Sequence, residues 1–209
     1  MHTDILILDA HPNPESYCAA LAEAALAGAR STGASASKLE LRRLQFDPVL
    51  HAGYRDGQAL EPDLLAAQAA IAAARHLILV YPSWWGTWPA LLKGFVDRAF
   101  TPGFAFRYHP EGNGWDKLLA GRSARVVVTM DWPVWAYHWL QGAPGNRAMS
   151  RATLGFCGVK PVRFTELGPV RPSTPEQRAA WLAQVRRVAA ADARPHARAA
   201  VAGATAPGP

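Results

Sequence analysis

The sequence has few cysteines and no long apolar run. Only Cys18 and Cys157 occur among 209 residues, which is too few for a disulfide framework and suits a reducing compartment such as the cytoplasm. No stretch of 18 apolar residues is present, so no integral membrane segment is predicted. The apolar run at residues 5–8 is too short for a signal peptide. The motifs of zinc peptidases, P-loop NTPases and serine hydrolases are also absent, and no metal site is predicted.

Charge is sparse and unevenly distributed. Charged residues make up 18% of the chain and hydrophobic residues 50%, a composition that predicts one folded domain over residues 1–190. The Ala/Pro/Gly-rich residues 191–209 are expected to form a disordered tail. Residues 1–116 carry a net charge of −3 and residues 117–209 a net charge of +9. The arginines of the basic half are spaced apart, and no nucleic-acid-binding motif accompanies them, so no nucleic-acid partner is predicted. A membrane surface or a phosphorylated small molecule stays open as a partner.

Strand and helix patterns alternate along the chain. The predicted strands are 4–9, 37–41, 76–81, 125–130 and 162–166, and the predicted helices are 16–30, 62–74, 91–100, 147–156 and 174–190. Alternation of this kind predicts an α/β fold with a doubly wound five-stranded parallel sheet and helices on both faces. The Gly-x-Gly-x-x-Gly fingerprint of dinucleotide-binding folds is missing after the first strand. The flavodoxin strand order 2-1-3-4-5 is therefore favoured.

Ligands of such sheets bind at the carboxyl ends of the strands, which singles out loops 10–17, 82–89 and 130–137. Seven of the eight tryptophans lie between residues 84 and 139. Clustered aromatic side chains in strand-end loops favour a flat apolar ligand, although core closure or an oligomer interface is the alternative. Ser16 is a candidate N-cap, and with His11 it makes the first loop a candidate phosphate site.

One long motif resembles a known family. Residues 81–100 read YPSWWGTWPALLKGFVDRAF, which is similar to the signature of flavodoxin-like NAD(P)H:quinone oxidoreductases. That family includes the DT-diaphorase, modulator-of-drug-activity and potassium-efflux ancillary types. Residues 11–17, 155–158 and 174–178 resemble the same family, and the resemblance extends over residues 4–190.

The resemblance implies a set of flavin-binding residues. The phosphates would be held by His11, Ser16 and Tyr17; the ring by Pro82, Ser83, Trp84, Trp85 and Gly86; the pyrimidine edge by Thr129, Met130, Asp131 and Trp132; and the adenine end by Arg178. Tyr137 aligns with a tyrosine near the flavin O2 and is the candidate catalytic hydrogen-bond donor. Many members have Thr-Thr-Gly-Gly at 129–132, so the loop of this chain is expected to have a different shape.

The resemblance also implies an activity. A hydride would pass from NAD(P)H through bound FAD, with FMN as the alternative, to a quinone by ping-pong kinetics. A homodimer is expected, because the two aromatic loops exceed what one flavin covers and dimeric members complete each site with partner residues. Azo or nitroaromatic reduction is an alternative on the same fold. A non-catalytic electron carrier or a regulatory subunit is the alternative from another class, but a pI near 9.7 argues against a carrier.

Overall fold

A computed structural model describes the backbone of residues 4–54 and 57–204, and the side chains of these residues up to 196. Its central sheet has five parallel strands in the order β2-β1-β3-β6-β7. The strands are β1 (Ile5–Asp9), β2 (Ala36–Glu40), β3 (His76–Pro82), β6 (Ser123–Thr129) and β7 (Val162–Leu167). This is the predicted order 2-1-3-4-5, because the two other strands form a separate hairpin. The predicted fold class is therefore confirmed.

The helices lie on both faces of the sheet. They are α1 (Tyr17–Arg30), α2 (Pro62–Ala73), α3 (Ala90–Ala99), α4 (Val134–Trp139), α5 (Pro144–Arg147) and α6 (Pro175–Ala204). Successive strand residues point to opposite faces. Ile5 and Ile7 pack in the cluster that includes residues of α1 and α6, whereas Leu6 and Leu8 pack in the cluster that includes residues of α2 and α3.

Three features differ from the sequence prediction. An antiparallel hairpin, β4 (Phe106–Tyr108) and β5 (Trp115–Lys117), precedes β6; its strands are too short to show an alternating pattern. The predicted helix 147–156 is instead α5 followed by a π-helical segment, Ala148–Leu154. Helix α4 lies in a segment that was predicted only as a loop.

The last helix also continues beyond its predicted end near residue 190. Helix α6 extends to Ala204, and Asp192 and Ala193 are buried, so the prediction of a disordered tail from residue 191 is wrong for the part that α6 covers. The reason is a buried ion pair: Nε and Nη2 of Arg125 on β6 donate to the two oxygens of the Asp192 carboxylate. Residues 205–209 of the predicted tail lie outside the described residues. No helix among the described residues is long and apolar enough to cross a bilayer.

Candidate functional site

Two adjoining cavities open at the carboxyl ends of β1, β3 and β6. The smaller, about 190 Å³, is lined by His11, Tyr17, Cys18, Pro82, Ser83, Trp84, Thr129, Met130, Asp131 and Val170. The larger, about 570 Å³, is lined by Ser83, Trp84, Trp85, Gly86, Met130, Asp131, Trp132, Tyr137 and Gln141. Four residues line both cavities, so the two form one continuous cleft. The three strand-end loops predicted from the sequence thus converge at one site.

The first loop ends in a well-formed helix start. The Ser16 hydroxyl oxygen accepts a hydrogen bond from the Ala19 N–H at 3.1 Å and caps α1. Among the described residues, the N–H groups of Tyr17 and Cys18 have no acceptor. The Ser16 hydroxyl proton also remains available as a donor. The positive end of the α1 dipole and these donors suit an anion such as phosphate.

His11 is held in one tautomeric state by its own loop. Its Nδ1 accepts from the Asn13 N–H at 2.9 Å, so the proton of the neutral ring is on Nε2. Burial lowers the pKa of His11 below its ordinary value, and the ring is therefore neutral at pH 7. It contacts Trp84 edge to face, with ring centroids 5.6 Å apart. His11 offers an anion a neutral N–H donor rather than a positive charge.

Arg42, which the sequence analysis did not select, shapes the first loop from below. Asp9 is fully buried at the end of β1, and its carboxylate accepts from Arg42 Nη1 at 2.6 Å. The same Nη1 donates to the His11 carbonyl oxygen at 3.3 Å, and the other arm of the guanidinium pairs with Glu40. Asp9 and Glu40 are register partners on β1 and β2. A buried Asp9 carboxylate beside the partly buried Glu40 carboxylate requires a cation, and a charged residue at the end of the first strand was the signal that pointed to such a partner.

The second loop turns sharply at the end of β3. Trp84 and Thr87 exchange two backbone hydrogen bonds of 3.1 and 3.0 Å, and the two residues between them have positive φ angles, +53° at Trp85 and +74° at Gly86. This is the geometry of a type I′ turn, which non-glycine residues adopt only with strain. The Trp85 side chain is fully exposed at the tip of the turn, so it is free to contact a ligand in the larger cavity.

Tyr137 braces this turn from α4. Its hydroxyl donates to the Gly86 carbonyl oxygen at 3.2 Å and accepts from the Asn146 N–H at 3.4 Å. The Gly145 N–H also donates to the Gly86 carbonyl oxygen, at 3.0 Å. Gly145 has to be glycine here, because a β-carbon would lie 2.6 Å from the Gly86 oxygen. Tyr137 is buried although its ring lines the larger cavity.

The third loop is tied to its neighbours. The Ser83 N–H donates to the Thr129 carbonyl oxygen at 2.7 Å, and the Cys18 thiol lies 3.3 Å from the Thr129 hydroxyl. The Asp131 carboxylate accepts from the Arg171 N–H at 2.8 Å. One of its oxygens is therefore turned toward the loop after β7.

Two predicted residues lie outside the cavity walls. Ser16 caps the helix behind the first loop, and Arg178 supports Tyr17, whose hydroxyl donates to the Arg178 carbonyl oxygen at 2.7 Å. The Arg178 guanidinium donates to the Ser173 hydroxyl at 2.8 Å. Three lining residues were missed, namely Cys18, Gln141 and Val170. Cys18 was predicted to lie in the core, and it is indeed buried while also lining the smaller cavity.

Comparison with known proteins finds relatives in both sequence and structure. The sequence model of a family described as "Flavodoxin-like fold" matches residues 3–191. The chain is 28% identical over 170 residues to an uncharacterized NAD(P)H oxidoreductase of Haemophilus influenzae, covering 79% of this chain and 83% of that protein. It is 27% identical over 184 residues to ribosyldihydronicotinamide dehydrogenase (quinone) of Pongo abelii, covering 75% and 77%. The NAD(P)H:quinone oxidoreductase structure from Methanothermobacter marburgensis superposes with a TM-score of 0.74 at 25% identity, covering 91% of this chain and 98% of that one.

Proposed function

The chain belongs to the flavodoxin-like fold family, and from that premise we propose that it is a flavin-dependent oxidoreductase that transfers a hydride from NAD(P)H to a quinone. The observation that carries the proposal is the continuous cleft at the strand ends. One end of the cleft is formed by the start of α1 and the other by aromatic side chains. A flavin combines an anionic phosphate with a flat ring, so its two chemical parts match the two ends. The relatives named NAD(P)H oxidoreductase and quinone dehydrogenase support the same activity.

The residues present fit this cofactor. His11, Ser16 and Tyr17 would hold the phosphate end, since the α1 N-terminus supplies unpaired N–H donors there. The aromatic walls at Trp84 and Trp132 would hold the ring. Asp9 does not repel the phosphate, because Arg42 neutralises it from beneath. When bound, the flavin supplies the chemistry of accepting and donating a hydride, and the protein supplies binding, orientation and electrostatics.

Tyr137 is proposed to act on the reaction through the turn that it braces. Its single proton is directed at the Gly86 carbonyl oxygen, so the turn that carries Trp85 and Gly86 is held at a fixed place in the cleft. A direct hydrogen bond from Tyr137 to a ligand would require that contact to open. The exposed Trp85 ring and the Trp132 ring are proposed to stack against the quinone or the nicotinamide.

Several finer points extend the proposal. We propose FAD as the flavin, with FMN as the alternative, NADPH or NADH as the hydride donor, and the cytoplasm as the location, since both cysteines are free thiols. We also propose a homodimer. An apolar groove of about 220 Å³ beside α3 supports it; Trp88, Phe100, Phe106 and Phe156 are among its lining residues. Light scattering should then give roughly twice the 22.5 kDa of the chain.

Steady-state kinetics test this function. The purified protein is assayed with NADPH or NADH and a water-soluble naphthoquinone, with both concentrations varied. The proposal predicts rapid NAD(P)H oxidation and parallel double-reciprocal plots, because donor and acceptor use one cleft in turn. The proposal would be contradicted if the flavin-loaded protein failed to oxidise NAD(P)H whichever acceptor was added, whether a quinone, an azo dye or a nitroaromatic compound. That result would favour a non-catalytic carrier or subunit.

A further inference from the structure

Helix α4 carries an apolar surface that faces solvent. Trp135 is 65% exposed, Trp139 85% and Leu140, directly after the helix, 70%. Ala136 and Tyr137 of the same helix are buried, so α4 is anchored and its outward side chains have a fixed support. We call Trp135, Trp139 and Leu140 the α4 patch. An exposed group of large apolar side chains of this kind marks a binding surface.

Two arginines without an ion-pair partner among the described residues lie next to the α4 patch. His138, between its members, lines a cavity of about 240 Å³ together with Arg147 and Arg151. The Arg147 guanidinium lies beside Gly142, where a β-carbon would be 3.6 Å from Nη1. Both arginines are exposed, and neither forms an ion pair within the part of the chain that the structure describes. The carboxylate in this cavity, Glu166, is already engaged by His138 at 2.7 Å and by the Asn146 amide at 2.7 Å.

The chemistry of this surface fits a lipid bilayer better than a second copy of the chain. Tryptophan is the residue most suited to the membrane–water interface, and anionic headgroups attract exposed arginines. A two-fold symmetric dimer brings the same face of both copies together. Pairing through the α4 patch would thus place Arg147 and Arg151 of both copies around one interface, and the carboxylate in their cavity, Glu166, is already engaged and does not offset the added positive charge. We propose that the α4 patch and its flanking arginines dock the protein on the surface of an anionic membrane.

Docking at this surface would place the cleft beside the bilayer. Trp132 and Gln141 flank the α4 patch in the sequence, and both line the larger cavity. A membrane-dissolved apolar acceptor could then enter the cleft directly from the lipid. This consequence rests on the proposed quinone reductase function, whereas the docking itself does not.

Cosedimentation with vesicles tests the docking. The full-length protein is mixed with vesicles of phosphatidylcholine alone or with added phosphatidylserine, at low and high salt. We expect binding to the anionic vesicles that weakens as salt rises. Changing Trp139→Ser together with Leu140→Ser should lower the vesicle affinity by about tenfold or more. Changing Arg147→Gln together with Arg151→Gln should lower it by roughly 25-fold on anionic vesicles only.

Two variants serve as matched controls. Leu65→Ser removes an apolar side chain that is 54% exposed on α2, and Arg187→Gln removes an exposed cation on α6. Both should bind vesicles as the unaltered protein does. Thermal unfolding of every variant, followed by circular dichroism, verifies that each is folded.

Three results would overturn the docking. They are the absence of binding to anionic vesicles at low salt, equal binding by the Trp139/Leu140 double variant, and conversion of a dimer to a monomer by that variant without lipid. The last result would assign the α4 patch to a second copy. Quinone reduction is assayed in the same samples with a water-soluble quinone. Lost docking with intact activity rejects the docking alone, and docking without activity rejects the proposed function alone.

Discussion

The Tyr137 hydroxyl donates a hydrogen bond to the Gly86 carbonyl oxygen at 3.2 Å, and this contact joins α4 to the turn at the end of β3. The same oxygen accepts from the Gly145 N–H at 3.0 Å, so two elements hold the turn. Burial raises the pKa of Tyr137 above its ordinary value of 10.0. The phenol therefore keeps its proton at neutral and mildly alkaline pH, and the contact persists.

Removing this donor should slow the reaction without emptying the site. In Tyr137→Phe the ring packing is kept and the turn loses one of its two braces. We expect the flavin content to remain nearly unchanged. The rate of flavin reduction by NAD(P)H should fall roughly 5–30-fold, which corresponds to about 1–2 kcal/mol. Stopped-flow absorbance at equal flavin occupancy measures this rate, and equal rates in both proteins would show that Tyr137 serves only in packing.

Trp85 is expected to lower the free energy of unfolding of the protein and to strengthen the binding of the acceptor. Its φ of +53° is in the left-handed region, where asparagine is tolerated far better. We expect Trp85→Asn to raise the free energy of unfolding by about 0.5–1 kcal/mol. The KM for an aromatic acceptor should rise several-fold, because the exposed ring is lost. Urea denaturation and steady-state kinetics check the two effects, and a variant that is less stable but equally active would contradict both.

The two ends of α1 allow a matched test of phosphate binding. Ser16 caps the N-terminus, whereas the Ser31 hydroxyl donates to the Gly28 carbonyl oxygen at the C-terminus at 2.7 Å. Either change to alanine should cost about 1 kcal/mol of stability. Only Ser16→Ala should also weaken flavin binding, by about tenfold, because a donor to a charged group is lost. Flavin titrations measure the affinity of both variants. Equal affinities would show that Ser16 does not contribute to phosphate binding.

The buried ion pair that anchors α6 should make stability depend on pH. Burial opposes ionisation of Asp192, but its contacts with His76 and Arg125 outweigh this and hold the pKa of the carboxyl below its ordinary value of 3.8. A carboxyl with a depressed pKa contributes stability at pH values above its unfolded pKa, and the contribution declines as the pH falls below that value.

Asp192→Asn should therefore lower the free energy of unfolding by about 3 kcal/mol at pH 7. The difference from the unaltered protein should shrink below about pH 4. Arg163→Gln is the control, because Arg163 is half-exposed and lies 3.5 Å from the same carboxylate, and its effect should be under about 1 kcal/mol. A pH-independent difference between the Asp192→Asn and unaltered proteins would show that packing, rather than charge, anchors the helix.

The sheet could be predicted from the sequence because its central strands are continuous apolar runs. Residues 5–8 and 77–81 are buried throughout. The order of the strands in the sheet was predicted from the absence of the Gly-x-Gly-x-x-Gly motif after the first strand. The end of α6 could not be predicted in the same way. Its alanine-rich sequence resembles a tail, and the partner that fixes Asp192 is Arg125, 67 residues away.

The sequence predicted the loops of the candidate site but not the residues that support those loops. Strand-end topology predicted that the three loops meet, and residues of all three line the cleft, because the parallel sheet brings their starting points to one edge. The contact of Arg42 with Asp9 depends on strand register, which the sequence alone did not provide. Gln141 lines the cleft two residues after the end of α4, and α4 was not predicted.

Flavin binding is the central claim, and one titration tests it most directly. The purified protein is titrated anaerobically with FAD and separately with FMN, then with NADPH, and the flavin absorbance is followed throughout. The account predicts uptake of one flavin per chain, loss of its visible absorbance on addition of NAD(P)H, and recovery of that absorbance when a quinone is added. A protein that takes up neither FAD nor FMN, or a bound flavin that NAD(P)H leaves unchanged, would contradict it.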